Sequence, residues 1–311
     1  MKIMLPLSLL AVTLAGCATP PQIASAPAEP APSFAGSVSA ADPRAQAAGE
    51  AMLARGGSAT DAAIAIMLAL TVVEPQSSGI GGGGFMVRGT ADGVVSTFDG
   101  RETAPAGATP EWFLDASGKL PPRSESVRSG LSVGVPGNIA LAAKAHAAHG
   151  KLPWADLFAP AIELARDGFE VNPRLNGMLA SAKDRSAHSA AARALYFEAS
   201  GEPRPVGAII VNETLAKTFE TIAEAGPDAF YTGALAQEIA STVTDDTPHA
   251  GAMTPADIAG YEAKEREPVC GSYRAYRICA MGPPTSGGVA VLQMLGQLER
   301  FDLAEMGLRN P

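Results

Sequence analysis

From Ala62 to Val73 the chain reads AAIAIMLALTVV, apolar on every face of a helical wheel. A helix with no polar stripe is buried on all sides, and twelve residues are too few to cross a bilayer. The pattern therefore predicts a helix sandwiched between layers. Its start is marked by Ser58-Ala59-Thr60-Asp61, the spacing of a capping box, and its end by Pro75. Upstream, Asp42-Pro43 supplies an N-cap and a proline at the first helical position, and Gly56-Gly57 closes that first helix. Downstream, the loop QSSGIGGGG leads to two short strand-like runs, FMVRG and VVSTFDG, joined by Thr90-Ala91-Asp92-Gly93. Asp-Gly between such runs predicts a β-hairpin.

Residues 102–137 are rich in Pro, Gly and Ser and read as a long surface loop. Between 138 and 260 the helical period dominates, in NIALAAKAHAAHG, PAIELARDG, NETLAKTFETIAEAG and GALAQEIASTV, several closed by glycine. Thr254-Pro255-Ala256-Asp257 is another cap. PVCGSYRAYRICAM reads as a second hairpin, and Gly-Pro-Pro-Thr-Ser-Gly-Gly leads into a last amphipathic helix, VAVLQMLGQLERF. With no internal repeat, one domain of mixed α and β structure is expected over 36–311.

The first residues carry a different pattern. Lys2 precedes a short apolar run, Ile3 to Leu14, and Leu14-Ala15-Gly16-Cys17 follows. This resembles a bacterial lipoprotein signal. Residues 1–16 are expected to be a signal peptide, and Cys17 the lipid-bearing residue of an exported protein held at a membrane surface. Ala18 after that cysteine points, by the same resemblance, to the periplasmic face of the outer membrane. An ordinary secretory signal would still place the body in the periplasm. Residues 17–35, dominated by Pro and Ala, form the tether. The 311 residues carry a formal charge of −9 and no Lys/Arg cluster, which excludes a nucleic-acid partner.

Candidate chemistry is sparse. Gly79-Ile80-Gly81-Gly82-Gly83-Gly84 formally matches G-x-G-x-x-G. A dinucleotide site requires strand, loop, helix; here the order is helix, loop, strand, so the glycines are expected to serve close packing. Asp99-Gly100-Arg101-Glu102 closes the second strand of the first hairpin. Arg101 there is suited to a carboxylate, because its planar fork donates two parallel hydrogen bonds; the plain alternative is a surface arginine paired with Glu102 or Asp99. His146 and His149, one helical turn apart, are expected on a solvated helix face, with no metal bound. If Arg274-Ala275 is a two-residue turn, Cys270 and Cys279 stand opposite each other at a separation near ~4.5 Å. A disulfide and a pair of buried thiols both remain open, and an alanine where the turn asks for positive φ weighs toward the thiols.

The strings change the odds once taken together. EPQSSGIGGGGFMV and FDGRETAPAGA, then SGLSVGVPGNIALAAKAHAAHGKLPWADLFAPAIELARDGFEVN, GPDAFYTGALAQEIA, MTPADIAGYEAKEREPV and MGPPTSGGVAVLQML, resemble the γ-glutamyltransferase (γ-glutamyltranspeptidase) family in family order. The similarity runs over about residues 36 to 305, the family's large-subunit portion.

The resemblance implies an α+β chain of the N-terminal-nucleophile hydrolase type, an αββα sandwich. It would be incomplete here, its C-terminal small-subunit half being absent. It implies a proenzyme that cuts itself, a nucleophilic Thr at the new N-terminus, and γ-glutamyl transfer or hydrolysis on glutathione and related γ-glutamyl amides. Such a Thr carries its own base, since an α-amino group titrates near ~7.7–8.0, so no cofactor or metal is called for. In the family the arginine of the D-x-R-E stretch binds the substrate α-carboxylate; that position is Arg101, with Glu102 orienting it. No threonine of this chain, Thr285 included, sits in the family's processing motif. No catalytic residue is therefore expected within these 311 residues, and the expected partners are a γ-glutamyl substrate, the small subunit and a membrane. Two alternatives stand beside this: an acylase of the same family, of the cephalosporin type, and a non-catalytic lipoprotein keeping the fold.

Overall fold

The computed structural model describes residues 36–245 and 249–307; the signal, Cys17 and the tether fall outside them. All described residues belong to the compact unit that begins at Phe34. Among them, no helix is long and apolar enough to cross a membrane.

The structure opens with α1 (Pro43–Ala54) and α2 (Ala59–Val73), followed by the hairpin β1 (Gly84–Gly89) and β2 (Val95–Gly100). Then come α3 (Arg123–Val127), α4 (Asn138–His149), α5 (Ala159–Asp167), β3 (Phe169–Glu170), α6 (Pro173–Ser181), α7 (Lys183–Ser186) and α8 (Ala190–Tyr196). Strand β4 (Ile209–Ile210), α9 (Glu213–Ala225), α10 (Asp228–Tyr231), α11 (Gly233–Asp245), α12 (Pro255–Ala259) and β5 (Lys264–Arg266) continue the chain. It closes with β6 (Val269–Tyr273), β7 (Tyr276–Ala280), α13 (Gly287–Leu298) and α14 (Leu303–Met306). The class is α+β.

Helix α2 is the centre of the core, as its uniform apolarity predicts. Leu68, Ala65, Ala69 and Val73 are wholly buried, and α1, α4 and α5 pack around it. Its first turn is fixed by the reciprocal cap: Asp61 N–H donates to Ser58 Oγ at 3.1 Å, and Ser58 N–H to Asp61 Oδ2 at 2.7 Å. The expected long loop holds one short α-helix, α3, a 3-10 turn at Gly130–Ser132 and a single bridge, Thr103 to Val135.

Three small antiparallel sheets are present among the described residues: β1-β2-β5, β3-β4 and β6-β7. Strand β5 was not foreseen; Lys264, Glu265 and Arg266 are all exposed, and only pairing with β2 makes them a strand. Strand β2 is the middle one, with Gly84 opposite Gly100 on one side and Thr97 opposite Arg266 on the other. Phe98 turns inward from β2 onto Leu141 and Ala145 of α4.

Two expectations are corrected. His146 does not lie on a solvated face: its Nε2 sits 2.8 Å from the Leu152 carbonyl oxygen, and its ring packs edge-on to Trp154 at 5.6 Å. Periodicity shows a helix face but not what folds back over it. The second concerns the thiols. Cys270 and Cys279 stand opposite each other with Cα atoms 4.1 Å apart, and they are joined in a disulfide. The turn places Arg274, not Ala275, at positive φ (54°), so the alanine does not weaken the register.

Candidate functional site

Four segments far apart in sequence meet where β2 ends. The glycine run follows α2, Arg101 and Glu102 follow β2, residues 134–138 lead into α4, and Tyr261 follows α12. The start of α4 ties them together. Backbone amides of Gly137 and Asn138 both donate to the Gly82 carbonyl, at 2.9 and 3.1 Å, and Asn138 Nδ2 donates to Gly79 O at 2.7 Å. Two backbone donors at the helix N-terminus thus go to the glycine loop, which satisfies both.

The approach is close enough to require glycine. A Cβ at Gly83 would lie 2.7 Å from Glu102 Oε2 and 2.8 Å from Glu102 N. One at Gly137 would lie 2.7 Å from the carbonyl carbon of Gly100. The glycines therefore pack, as expected, and they pack directly against the candidate residues. The adjoining cavity of about 420 Å3, between α2, β1 and α4, has no charged side chain in its wall.

Arg101 and Glu102 pair with each other. Arg101 Nε lies 3.4 Å from Glu102 Oε2; the arginine side chain is 61% exposed and the glutamate 29%. Glu102 Oε2 is out of solvent and makes no hydrogen bond, so the ion pair is its one electrostatic compensation among the described residues. The arginine's terminal nitrogens donate to nothing among the described residues. On a side chain 61% exposed, a guanidinium paired at Nε and without a partner at its terminal nitrogens among the described residues leaves those nitrogens for a bidentate carboxylate.

The Arg101 backbone is held at both ends of the residue. Its N–H donates to Asp99 Oδ1 at 2.8 Å, and its carbonyl accepts from the Tyr261 hydroxyl at 2.8 Å. Asp99 in turn accepts from Arg266 Nε through Oδ2 at 2.6 Å. Tyr261 stacks on Tyr231, with centroids 5.9 Å apart and planes within 11°. Burial, reinforced by the charges of Asp99 and Glu102, pushes the Tyr261 hydroxyl up to about 12. Burial also raises that of Tyr231, which donates to Pro136 O and accepts from the Ala140 amide.

Asn138, Tyr231, Tyr261 and Arg266 were not singled out from sequence. Tyr261 and Arg266 do lie within MTPADIAGYEAKEREPV, so a signal existed. Cys270 and Cys279 form their own hairpin, and Cys17 lies outside the described residues. Among the described residues no group of three His, Cys, Asp or Glu is arranged to hold a metal ion.

The family described as gamma-glutamyltranspeptidase matches residues 45–311. The glutathione hydrolase proenzyme of Bacillus subtilis (strain 168) is 41% identical over 278 residues, 88% of this chain and 46% of that protein. The acylase ACY 1 proenzyme of Pseudomonas sp. (strain SE83) is 36% identical over 284 residues, 90% of this chain and 50% of that protein. Among solved structures, the γ-glutamyltranspeptidase of Helicobacter pylori superposes with a TM-score of 0.83 at 36% identity, covering 88% of this chain and 77% of the other. The chain spans about half the length of the curated relatives it matches.

Proposed function

The chain belongs to the gamma-glutamyltranspeptidase family, and from that premise we propose that it is the substrate-binding portion of a self-processed enzyme that transfers or hydrolyses γ-glutamyl groups of glutathione and related amides. The observation that carries this is Arg101. Its guanidinium is exposed on a backbone fixed at both ends, with Glu102 behind it and the Nη edge open. That is what recognition of an amino-acid α-carboxylate requires.

The nucleophile belongs to sequence beyond residue 311, in a small subunit released by cleavage of a proenzyme. Its N-terminal Thr would attack the γ-amide carbonyl while its α-amino group takes the hydroxyl proton. That proton then goes to the departing amine as the amide C–N bond breaks, and the γ-glutamyl group of the resulting ester passes to water or an acceptor amine, which restores the Thr hydroxyl. On this reading β1-β2-β5 and β6-β7 are parts of two sheets of an αββα sandwich whose remaining strands the small subunit supplies. Cys17 would bear lipid and hold the enzyme at the periplasmic face of the outer membrane; mass spectrometry of Cys17 in the membrane fraction tests that part alone.

The acylase relatives motivate a second reading, a cephalosporin-type acylase. Arg101 suits a substrate bearing a free carboxylate, and the glutathione hydrolase relatives favour the first reading. The test is the full-length protein on a chromogenic γ-glutamyl anilide. Arg101→Ala is expected to lose roughly 1.5–3 kcal/mol of transition-state binding, about 10- to 150-fold in kcat/KM. If both proteins release product equally well, Arg101 does not bind substrate. Self-processing without turnover of any γ-glutamyl compound would discard the substrate class.

A further inference from the structure

The role proposed for Arg101 depends on where its backbone sits, and two residues from the far end of the chain decide that. Tyr261 donates to the Arg101 carbonyl, and Arg266 holds the Asp99 carboxylate that accepts the Arg101 amide. We infer that Tyr261 and Arg266 are positioning residues for Arg101: they fix its main chain so that the guanidinium meets the substrate carboxylate without first being ordered. The inference rests on the reading of Arg101 given above.

Three observations support it. The segment 99–102 leaves the sheet at Gly100, so nothing in the strand ladder holds Arg101 itself. The Tyr261 hydroxyl remains protonated across neutral pH, being pushed up to about 12, and is thus a permanent donor. Tyr261 is itself held, by stacking on Tyr231, whose hydroxyl bonds Pro136 and Ala140 at the start of α4. The same helix start receives the glycine loop. Ordering Arg101 before substrate arrives removes an entropy cost from binding, and that gain is specific to ligands that use Arg101.

The test compares γ-glutamyl p-nitroanilide with γ-aminobutyryl p-nitroanilide, which lacks the α-carboxylate, in the full-length enzyme. Wild type should prefer the former, and Arg101→Ala should erase that preference. Tyr261→Phe keeps the ring and removes the hydroxyl. It should reduce the preference roughly threefold to tenfold, through KM, with kcat near wild type. On the Arg101→Ala background the same change should add nothing. Arg266→Lys, which keeps a cation for Asp99, should retain more of the preference than Arg266→Gln, and this pair decides the matter if Tyr261→Phe does not fold.

An equal fall on both substrates, or an undiminished effect of Tyr261→Phe in the double variant, overturns the positioning role while leaving Arg101 in place. A wild type indifferent to the α-carboxylate, or a preference that survives Arg101→Ala, overturns the reading of Arg101 and this inference with it.

Discussion

Asp42 is a carboxylate taken almost wholly out of water, with each oxygen matched to a donor. Oδ1 accepts from the Arg44 amide at 2.9 Å and from Arg44 Nε at 2.8 Å, and Oδ2 accepts from Arg44 Nη2 at 2.7 Å. Arg44 Nη1 reaches on to the Glu170 carbonyl, so the pair also ties the start of α1 to β3. Burial raises the carboxyl, but the Arg44 hydrogen bonds, its charge and Asn172 together outweigh it and hold the group below its usual 3.8. A depressed folded value means that the stabilisation is present above the unfolded value and is lost as pH falls through the folded one. Asp42→Asn should therefore cost about 1–2 kcal/mol at pH 7, since asparagine still caps the helix but leaves Arg44 unpaired. Urea melts should show that gap closing below about pH 4. A gap that is constant from pH 7 to pH 3 would mean that the ion pair contributes nothing.

Among elements, α2 shows what a local code can specify. Asp61 at its third position is wholly buried, and beyond the cap to Ser58 it accepts from the Lys151 amide at 3.0 Å and the Leu152 amide at 3.3 Å. The carboxylate thus pins the loop after α4 to the start of α2. Asp61→Ala would strand several donors away from water and should destabilise the fold by about 3–5 kcal/mol. Ser58→Ala removes only the hydroxyl and should cost about 1 kcal/mol. Equal melting shifts for the two would deny Asp61 its second role. The cap itself was legible, because Ser58 and Asp61 encode it within four residues. So was the first hairpin, whose turn glycine Gly93 has φ +85°. Strand β5 was not: Lys264-Glu265-Arg266 has strand geometry only because β2 offers an edge. The candidate site divides the same way. Arg101 and Glu102 were found because a motif of neighbouring residues carries them. Tyr261 meets Arg101 across 160 positions, and Asn138 meets Gly79 across 59. No periodicity spans such distances, so these contacts exist only in the folded chain.

For the whole molecule, the uneven distribution of apolar surface matters most. The core around α2 is closed, but α13 is not: one side packs on β6 and β7, with Leu292 against Gly271 and Gly288 against Met281. Its other side presents Val291, Met294 and Leu298 at 43%, 54% and 40% exposure, with Phe301 just beyond at 52%. A contiguous apolar helix face in water is a surface that associates. Expressed by itself, the 311-residue chain should therefore bind a hydrophobic dye and self-associate at micromolar concentration. Val291→Lys with Met294→Lys should reduce both the dye signal and the apparent mass in light scattering, without lowering the melting temperature, since neither side chain is buried. On the function proposed above, the same pair should do the opposite in the full-length protein. If the small subunit lies over α13, two lysines there would face an apolar partner at a cost of several kcal/mol, and processing or subunit association should fail. Lysines tolerated in the full-length enzyme would leave α13 solvent-facing and place the small subunit elsewhere on the fold.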